Sequence, residues 1–183
     1  DPQELLVADL DRDGRSDALL CLPTELPRIL LAQADGSFRD VDVAQQPGLG
    51  LLKGLARDAL DWADVDGDGR PELLVPGPSF ARAFHLDAGG RPVVVAQFNL
   101  PDPGAQVACA AAFDLDGDGR PEVALADRGQ KALYVLRRDA EGASEVAARA
   151  DLPEFVPRAL RALGPGRLLL LAPDRVGRVT AGA

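Results

Sequence analysis

Apolar residues along this chain gather in short runs separated by clusters of Asp, Gly and Pro. Runs of that length, bounded by turn residues, predict β-strands. The order strand, acidic loop, strand, short loop, strand, hairpin turn, strand then recurs. In the first unit the strands are expected at Leu5–Ala8, Asp17–Leu22, Arg28–Gln33 and Phe38–Val43, with Ala34–Ser37 turning. The second unit gives Ala59–Ala63, Glu72–Val75, Ala81–Leu86 and Pro92–Phe98, with Asp87–Gly90 turning. The third gives Val107–Phe113, Glu122–Ala126, Lys131–Arg137 and Ser144–Ala148, with Asp139–Gly142 turning. A fourth unit offers three strands, Arg158–Leu163, Leu168–Ala172 and Arg175–Thr180. Gly and Asp stand in the hairpin turns, where tight strand connections need positive φ.

The loop joining the first two strands of each full unit repeats one nine-residue pattern. Its acids are Asp9, Asp11, Asp13 and Asp17 in the first copy, Asp64, Asp66, Asp68 and Glu72 in the second, and Asp114, Asp116, Asp118 and Glu122 in the third. Carboxylates at positions 1, 3, 5 and 9, with Gly14, Gly69 or Gly119 at position 6, are what a hard divalent cation needs: several oxygens and a bend that Gly makes cheaply. The backbone carbonyl of position 7, at Arg15, Arg70 and Arg120, is expected as a further ligand, and Pro71 and Pro121 fit at position 8, which need donate no hydrogen bond. An EF-hand loop would close with a bidentate Glu at position 12, where Leu20, Val75 and Leu125 stand here. Calcium is the expected ion, about three per chain; magnesium, the alternative, keeps its waters and recruits fewer carboxylates. One such loop could be an Asp- and Gly-rich turn and nothing more. Three copies with the same ligand positions favour the metal. The fourth turn, Gly164–Arg167, has no acid and is expected to bind none.

Asp9 and Asp64 are 55 residues apart and Asp64 and Asp114 are 50 apart, a period that signals solenoids or propellers. Four antiparallel strands per period is the unit of a β-propeller blade. The fold class expected is therefore all-β: one propeller segment over residues 1–183, with repeats near 5–56, 57–104 and 105–153 and an incomplete one at 154–183. The stretch LLAQADGSFRDV, followed by ALDWADVDGDGRPELLV, resembles the FG-GAP/VCBS repeat family, the calcium-dressed propellers also found in integrin α-subunits, and especially its secreted VCBS and ASPIC-type branch. That resemblance implies calcium loops between the first two strands of each blade and a protein or ligand bound by exposed loops, often outside the cytoplasm. Such rings commonly close with about seven blades. Three units and part of a fourth, in a chain lacking Met, are thus expected to be a processed chain, a fragment or part of something longer.

Net charge is −9, but the three loops hold 12 of the 29 acids, leaving 17 against 20 Lys and Arg. Three bound dications would bring the balance to about −3. The acidity belongs to the loops, and nucleic acid is not an expected partner. No apolar run approaches the ~18 residues of a membrane-spanning helix. Cys21 and Cys109 fall in units that are not neighbours in a propeller, so buried free thiols are expected and no disulfide. The single His85 reads as structural or surface, and Trp62 as core. No nucleophile, phosphate loop or second carboxylate pair stands apart from the loops.

The function expected is non-enzymatic protein or ligand binding, including cell adhesion, by a calcium-binding propeller segment in an extracytoplasmic setting. Its partner is another protein or the remaining blades, with carbohydrate as a possible ligand. Two alternatives remain: an accessory structural subunit of a larger extracytoplasmic complex, or part of a propeller enzyme, such as a polysaccharide lyase or hydrolase, whose site lies in absent blades.

Overall fold

A computed structural model describes residues 4–22, 24–139, 142–152 and 154–180. It is all-β, with four antiparallel sheets. The first sheet orders β1 (Glu4–Ala8), β2 (Asp17–Cys21), β3 (Arg28–Ala32) and β4 (Phe38–Asp40) side by side. The second comprises β5 (Asp61–Ala63), β6 (Glu72–Pro76), β7 (Phe80–Leu86) and β8 (Pro92–Asn99). The third comprises β9 (Val107–Phe113), β10 (Glu122–Asp127), β11 (Ala132–Arg138) and β12 (Ser144–Asp151). The fourth has three strands, β13 (Ala159–Gly164), β14 (Arg167–Ala172) and β15 (Arg175–Thr180). Every connection is sequential, as short loops and hairpin turns dictate.

β2 and β3 each end one residue before the expected limit, and two further strands are shorter by two residues or more. β4 ends at Asp40 and not at Val43, because the chain leaves the sheet to bury Val41 and Val43, the latter in a 3₁₀ turn over Val43–Gln45. β5 begins at Asp61 and not at Ala59, since Arg57–Ala59 forms another 3₁₀ turn that helps place Leu60 in the core. In contrast β12 runs three residues past Ala148, to Asp151. Two residues of the Asp139–Gly142 turn, 140 and 141, lie outside the described residues; Gly142 still donates its N–H to the Asp139 carbonyl at 3.1 Å. No described helix is long and apolar enough to cross a membrane.

The chain divides into two compact units, one holding the residues up to Arg57 with Phe84–Val94, the other Asp58–Ala83 with Val95 onward. In the first, Leu19, Ile29, Leu31 and Leu49 are almost fully buried, and the Leu86 N–H donates to the Leu10 carbonyl at 2.7 Å. In the second, two apolar clusters form on opposite faces of the third sheet. One gathers Leu74, Phe98, Leu125 and Leu136, the other Cys109, Leu133, Leu160 and Leu170. Every residue of β6 and β10 is buried, which explains why both read as unbroken apolar runs after their acid. β1 instead alternates, burying Leu6 and Ala8 while Leu5 and Val7 are 52% and 58% exposed.

This contrast sets the expected response to truncation. Leu125→Ala, at a fully buried position, should cost about 3 kcal/mol of unfolding free energy through lost transfer energy and the cavity left behind. Leu5→Ala in the isolated chain should stay within about 0.5 kcal/mol. Urea denaturation of both variants checks the difference.

Candidate metal centres

Each acidic loop leaves one strand and enters the next, so its first and ninth residues are held near the ends of two paired strands. The ninth residue does most to fix the loop. Asp17 and Glu72 are fully buried and Glu122 is 1% exposed. Each accepts the N–H of the loop's second residue: Leu10 to Asp17 Oδ2 at 2.8 Å, Val65 to Glu72 Oε2 at 2.9 Å and Leu115 to Glu122 Oε2 at 2.7 Å. Burying an ionised carboxylate is costly unless such donors surround it.

The first residue folds the loop inward. Asp9 accepts N–H groups from Asp13 and Gly14, both at 2.9 Å. Asp64 accepts those of Gly67 at 2.7 Å and Gly69 at 2.9 Å, and Asp114 those of Gly117 at 2.7 Å and Gly119 at 3.1 Å. The position-6 glycines Gly14, Gly69 and Gly119 have φ of 86°, 83° and 84°, which only Gly adopts cheaply. Position 4 also turns left-handed: Gly67 and Gly117 serve there in two loops, whereas the first loop places Arg12 at φ 61°. Positions 5 and 7 are linked by Asx turns, the N–H groups of Arg15, Arg70 and Arg120 donating to Asp13, Asp68 and Asp118 at 2.9, 2.7 and 2.8 Å. The side chains of Arg70 and Arg120 are exposed, while Arg15 is half-buried, donating from Nε to the Ala32 carbonyl at 2.9 Å and pairing with Asp13.

The three loops do not gather the same carboxylates. Asp64, Asp66 and Glu72 bring oxygens within 4.8 Å of one another, as do Asp114, Asp116 and Glu122. In the first loop the group is Asp9, Asp11 and Asp13. Asp17 stands outside it, since Oδ2 accepts from Leu10 and, at 3.4 Å, from Asp11, while Oδ1 accepts from Ala32 at 2.8 Å. Asp68 and Asp118 likewise fall outside the groups of their loops. The third loop holds a cation of its own that motif reading did not find: Arg137 on β11, whose Nε lies 2.8 Å from Glu122 Oε1 and whose Nη2 lies 2.5 Å from Asp116 Oδ2. Its signal was strand register, for the pairing of Val123 with Leu136 sets Arg137 opposite Glu122.

These donor sets fit a calcium ion. Oxygens sharing one ion at about 2.4 Å can stand no more than about 4.8 Å apart, and the oxygens of each group lie within 4.8 Å of one another. In the first loop Asp11 Oδ1 is buried without a hydrogen-bond donor, an acceptor turned to where a cation would satisfy it. Burial raises the Asp11 carboxyl pKa, helped by the charges of Asp17, Asp13 and Asp9. Burial also raises that of Asp17, with the N–H groups of Ala32, Leu10 and Asp11 pulling it back. With folded-state values above the unfolded ones, ionising both groups costs folding free energy, a cost absent in acid and growing as pH rises through their range. A bound dication would offset it.

Other expected features resolve simply. The fourth turn carries no acid, and Gly166 donates to the Asp114 carbonyl at 2.8 Å, so it braces the third loop. Cys21 and Cys109 are free and buried, burial pushing their thiols up to about 11 and about 12. His85 is half-buried with Nδ1 2.9 Å from the Leu86 carbonyl. Trp62, expected in the core, is only half-buried, because β5 is a short strand with all three residues partly exposed.

Residues 9–75 match the family described as FG-GAP-like repeat. No curated protein matches the sequence. Among solved structures the chain is similar to BBS1N in complex with ARL6DN, soaked with lead, at 11% identity and TM-score 0.51, covering 98% of this chain and 56% of that one. The mercury-soaked form of that complex gives 10% identity, TM-score 0.50 and coverage of 98% and 57%. The chain thus spans just over half the length of these structures. At such identities the likeness concerns fold, and the neighbours are β-propeller proteins.

Asp17 supplies the test of how a loop is held. Asp17→Ala removes the acceptor of the Leu10 and Ala32 N–H groups, and buried donors left unpaired cost about 1–3 kcal/mol each. A loss of about 3 kcal/mol is expected in urea denaturation, of similar size with EDTA and with calcium. A loss seen only with calcium would make Asp17 a ligand first and a loop clasp second.

Proposed function

We propose that this chain is a non-enzymatic, calcium-binding segment of a β-propeller that serves protein binding outside the cytoplasm. The observation that supports it is the gathering of three carboxylates in each of three strand-to-strand loops. Like charges about 4 Å apart repel by up to about 4 kcal/mol at an effective dielectric of 20, a repulsion that a cation entering the loop would relieve. Sites of this kind with modest affinity fill at the millimolar calcium found outside cells. On this reading the ions are structural: they fasten the loops that end each blade and leave the exposed surface to the partner. The BBS1N neighbour was solved with a protein, ARL6DN, which is in keeping with a protein partner for this chain.

A second reading, that the chain is completed by further blades of a larger assembly, is favoured by the open face of the first sheet. Register places Leu5 beside Leu20, and Val7 beside Ala18, which pairs in turn with Leu30. The matching positions of the third sheet are Ala110, Leu125, Ala112, Val123 and Leu136, all buried in one cluster with residues of the second sheet. In the first sheet those positions are half-buried or exposed, and Phe38 beside them is 57% exposed. Apolar residues at positions that a neighbouring sheet covers elsewhere mark a surface made to be covered. The isolated chain should bind a hydrophobic dye such as ANS and lose most of that binding in Val7→Glu; no dye binding by the parent chain would remove this face as an interface.

The calcium reading is tested by melting and titration together. Calcium at one hundred times its dissociation constant adds about 2.7 kcal/mol per site. Melting in EDTA with high sodium chloride should therefore fall well below melting in calcium. Isothermal titration should count about three ions, and two in Asp66→Ala, since each loop draws on its own residues. Equal melting temperatures, or no uptake, would make the loops ordinary turns.

A further inference from the structure

We propose that Arg137 is a built-in competitor for the third acidic loop, a guanidinium that occupies two of its carboxylates and lowers the affinity of that site for a divalent ion. The inference rests on the reading of the loops as cation sites and adds that they are tuned apart by residues outside the motif. Arg137 belongs to β11, yet its side chain reaches two members of the group Asp114, Asp116 and Glu122, with Nη2 2.5 Å from Asp116 Oδ2 and Nε 2.8 Å from Glu122 Oε1. Glu122 is 1% exposed, so its charge needs a partner at all times, and Arg137 serves while no ion is bound.

A divalent ion entering this loop meets a fixed positive charge already bonded to two of its ligands. It must displace the guanidinium or bind beside it, and either course weakens binding. Room for displacement exists. The Arg137 side chain is 42% exposed and borders a cleft of about 710 Å³ lined by Phe113, Leu133, Val135 and Arg149, into which it can turn. Arg stays protonated throughout the physiological range, so pH does not switch this competition; divalent ion concentration does.

The position-6 glycine amides read the loops separately, since Gly14, Gly69 and Gly119 each donate to the first Asp of their own loop. Calcium titration of the full chain, followed by nitrogen–proton NMR at these amides, should show the Gly119 midpoint in Arg137→Gln at roughly tenfold lower calcium than in the parent. The Gly14 and Gly69 midpoints should stay in place. Arg137→Lys keeps the charge but loses the two-pronged fit, and should move Gly119 by a smaller factor. If the Gln variant fails to fold without metal, the Lys variant carries the test, and a Gly119 midpoint at or above the parent's overturns the proposal. An unchanged or raised midpoint in Arg137→Gln overturns it too, as does a Lys shift equal to the Gln shift. Response at Gly14 and Gly69 alongside an unmoved Gly119 would sink the competitor while leaving the loops as cation sites; no response at any of the three would sink both.

Discussion

The buried carboxylate at the ninth position of each acidic loop is the constraint from which the rest follows. Asp17, Glu72 and Glu122 are withdrawn from water, and each takes the backbone N–H of the residue seven positions earlier. That bond fixes the length of the loop and the mutual placement of the two strands it joins. It also helps bring the remaining acids together, three carboxylates of each loop offering oxygens within 4.8 Å of one another, the charge density on which the proposed cation sites rest. On the proposed reading, loop structure and ion binding are two consequences of one hydrogen bond. The copies differ in how far the closing residue is used up. Asp17 spends both oxygens on three backbone donors, whereas Glu122 keeps Oε1 for the side chain of Arg137.

The second organising fact is which sheet faces are covered. β6 and β10 bury every residue, and apolar clusters occupy both faces of the third sheet. The first sheet is built from the same residue types, but β1 leaves Leu5 and Val7 in water, and in the fourth sheet β15 leaves Val176 66% exposed. A strand whose composition asks for cover on both sides and receives it on one is unfinished in the thermodynamic sense. Association with another sheet would bury that area at roughly 25 cal/mol per Å² before ordering costs.

Much of this was legible in the chain because it is local. The limits of β9 at Val107–Phe113 and of β15 at Arg175–Thr180 follow directly from where the apolar runs meet their turn residues. The left-handed glycines at position 6 follow from the motif. What escaped notice depends on distant partners. The 3₁₀ turns over Val43–Gln45, Leu49–Leu52 and Arg57–Ala59 carry no periodicity of their own and form where Val43, Leu49 and Leu52 find the core. The grouping of Asp9, Asp11 and Asp13 without Asp17 depends on the Ala32 N–H, fifteen residues further on. Arg137 reaches the third loop only through strand register. Spacing within a motif names the available oxygens; tertiary contacts decide which of them are free to meet in one place.

The central claim is that these loops are cation sites whose ligands come from within each nine-residue repeat. Crystals grown in millimolar calcium and measured at long wavelength would test it most directly, because calcium scatters anomalously and the sulfur of two cysteines is the only competing signal. The account predicts three anomalous peaks per chain, one at each of Asp9–Asp13, Asp64–Glu72 and Asp114–Glu122, and none at Gly164–Arg167. Empty density in all three acidic loops, or a peak in the acid-free fourth turn, would contradict it.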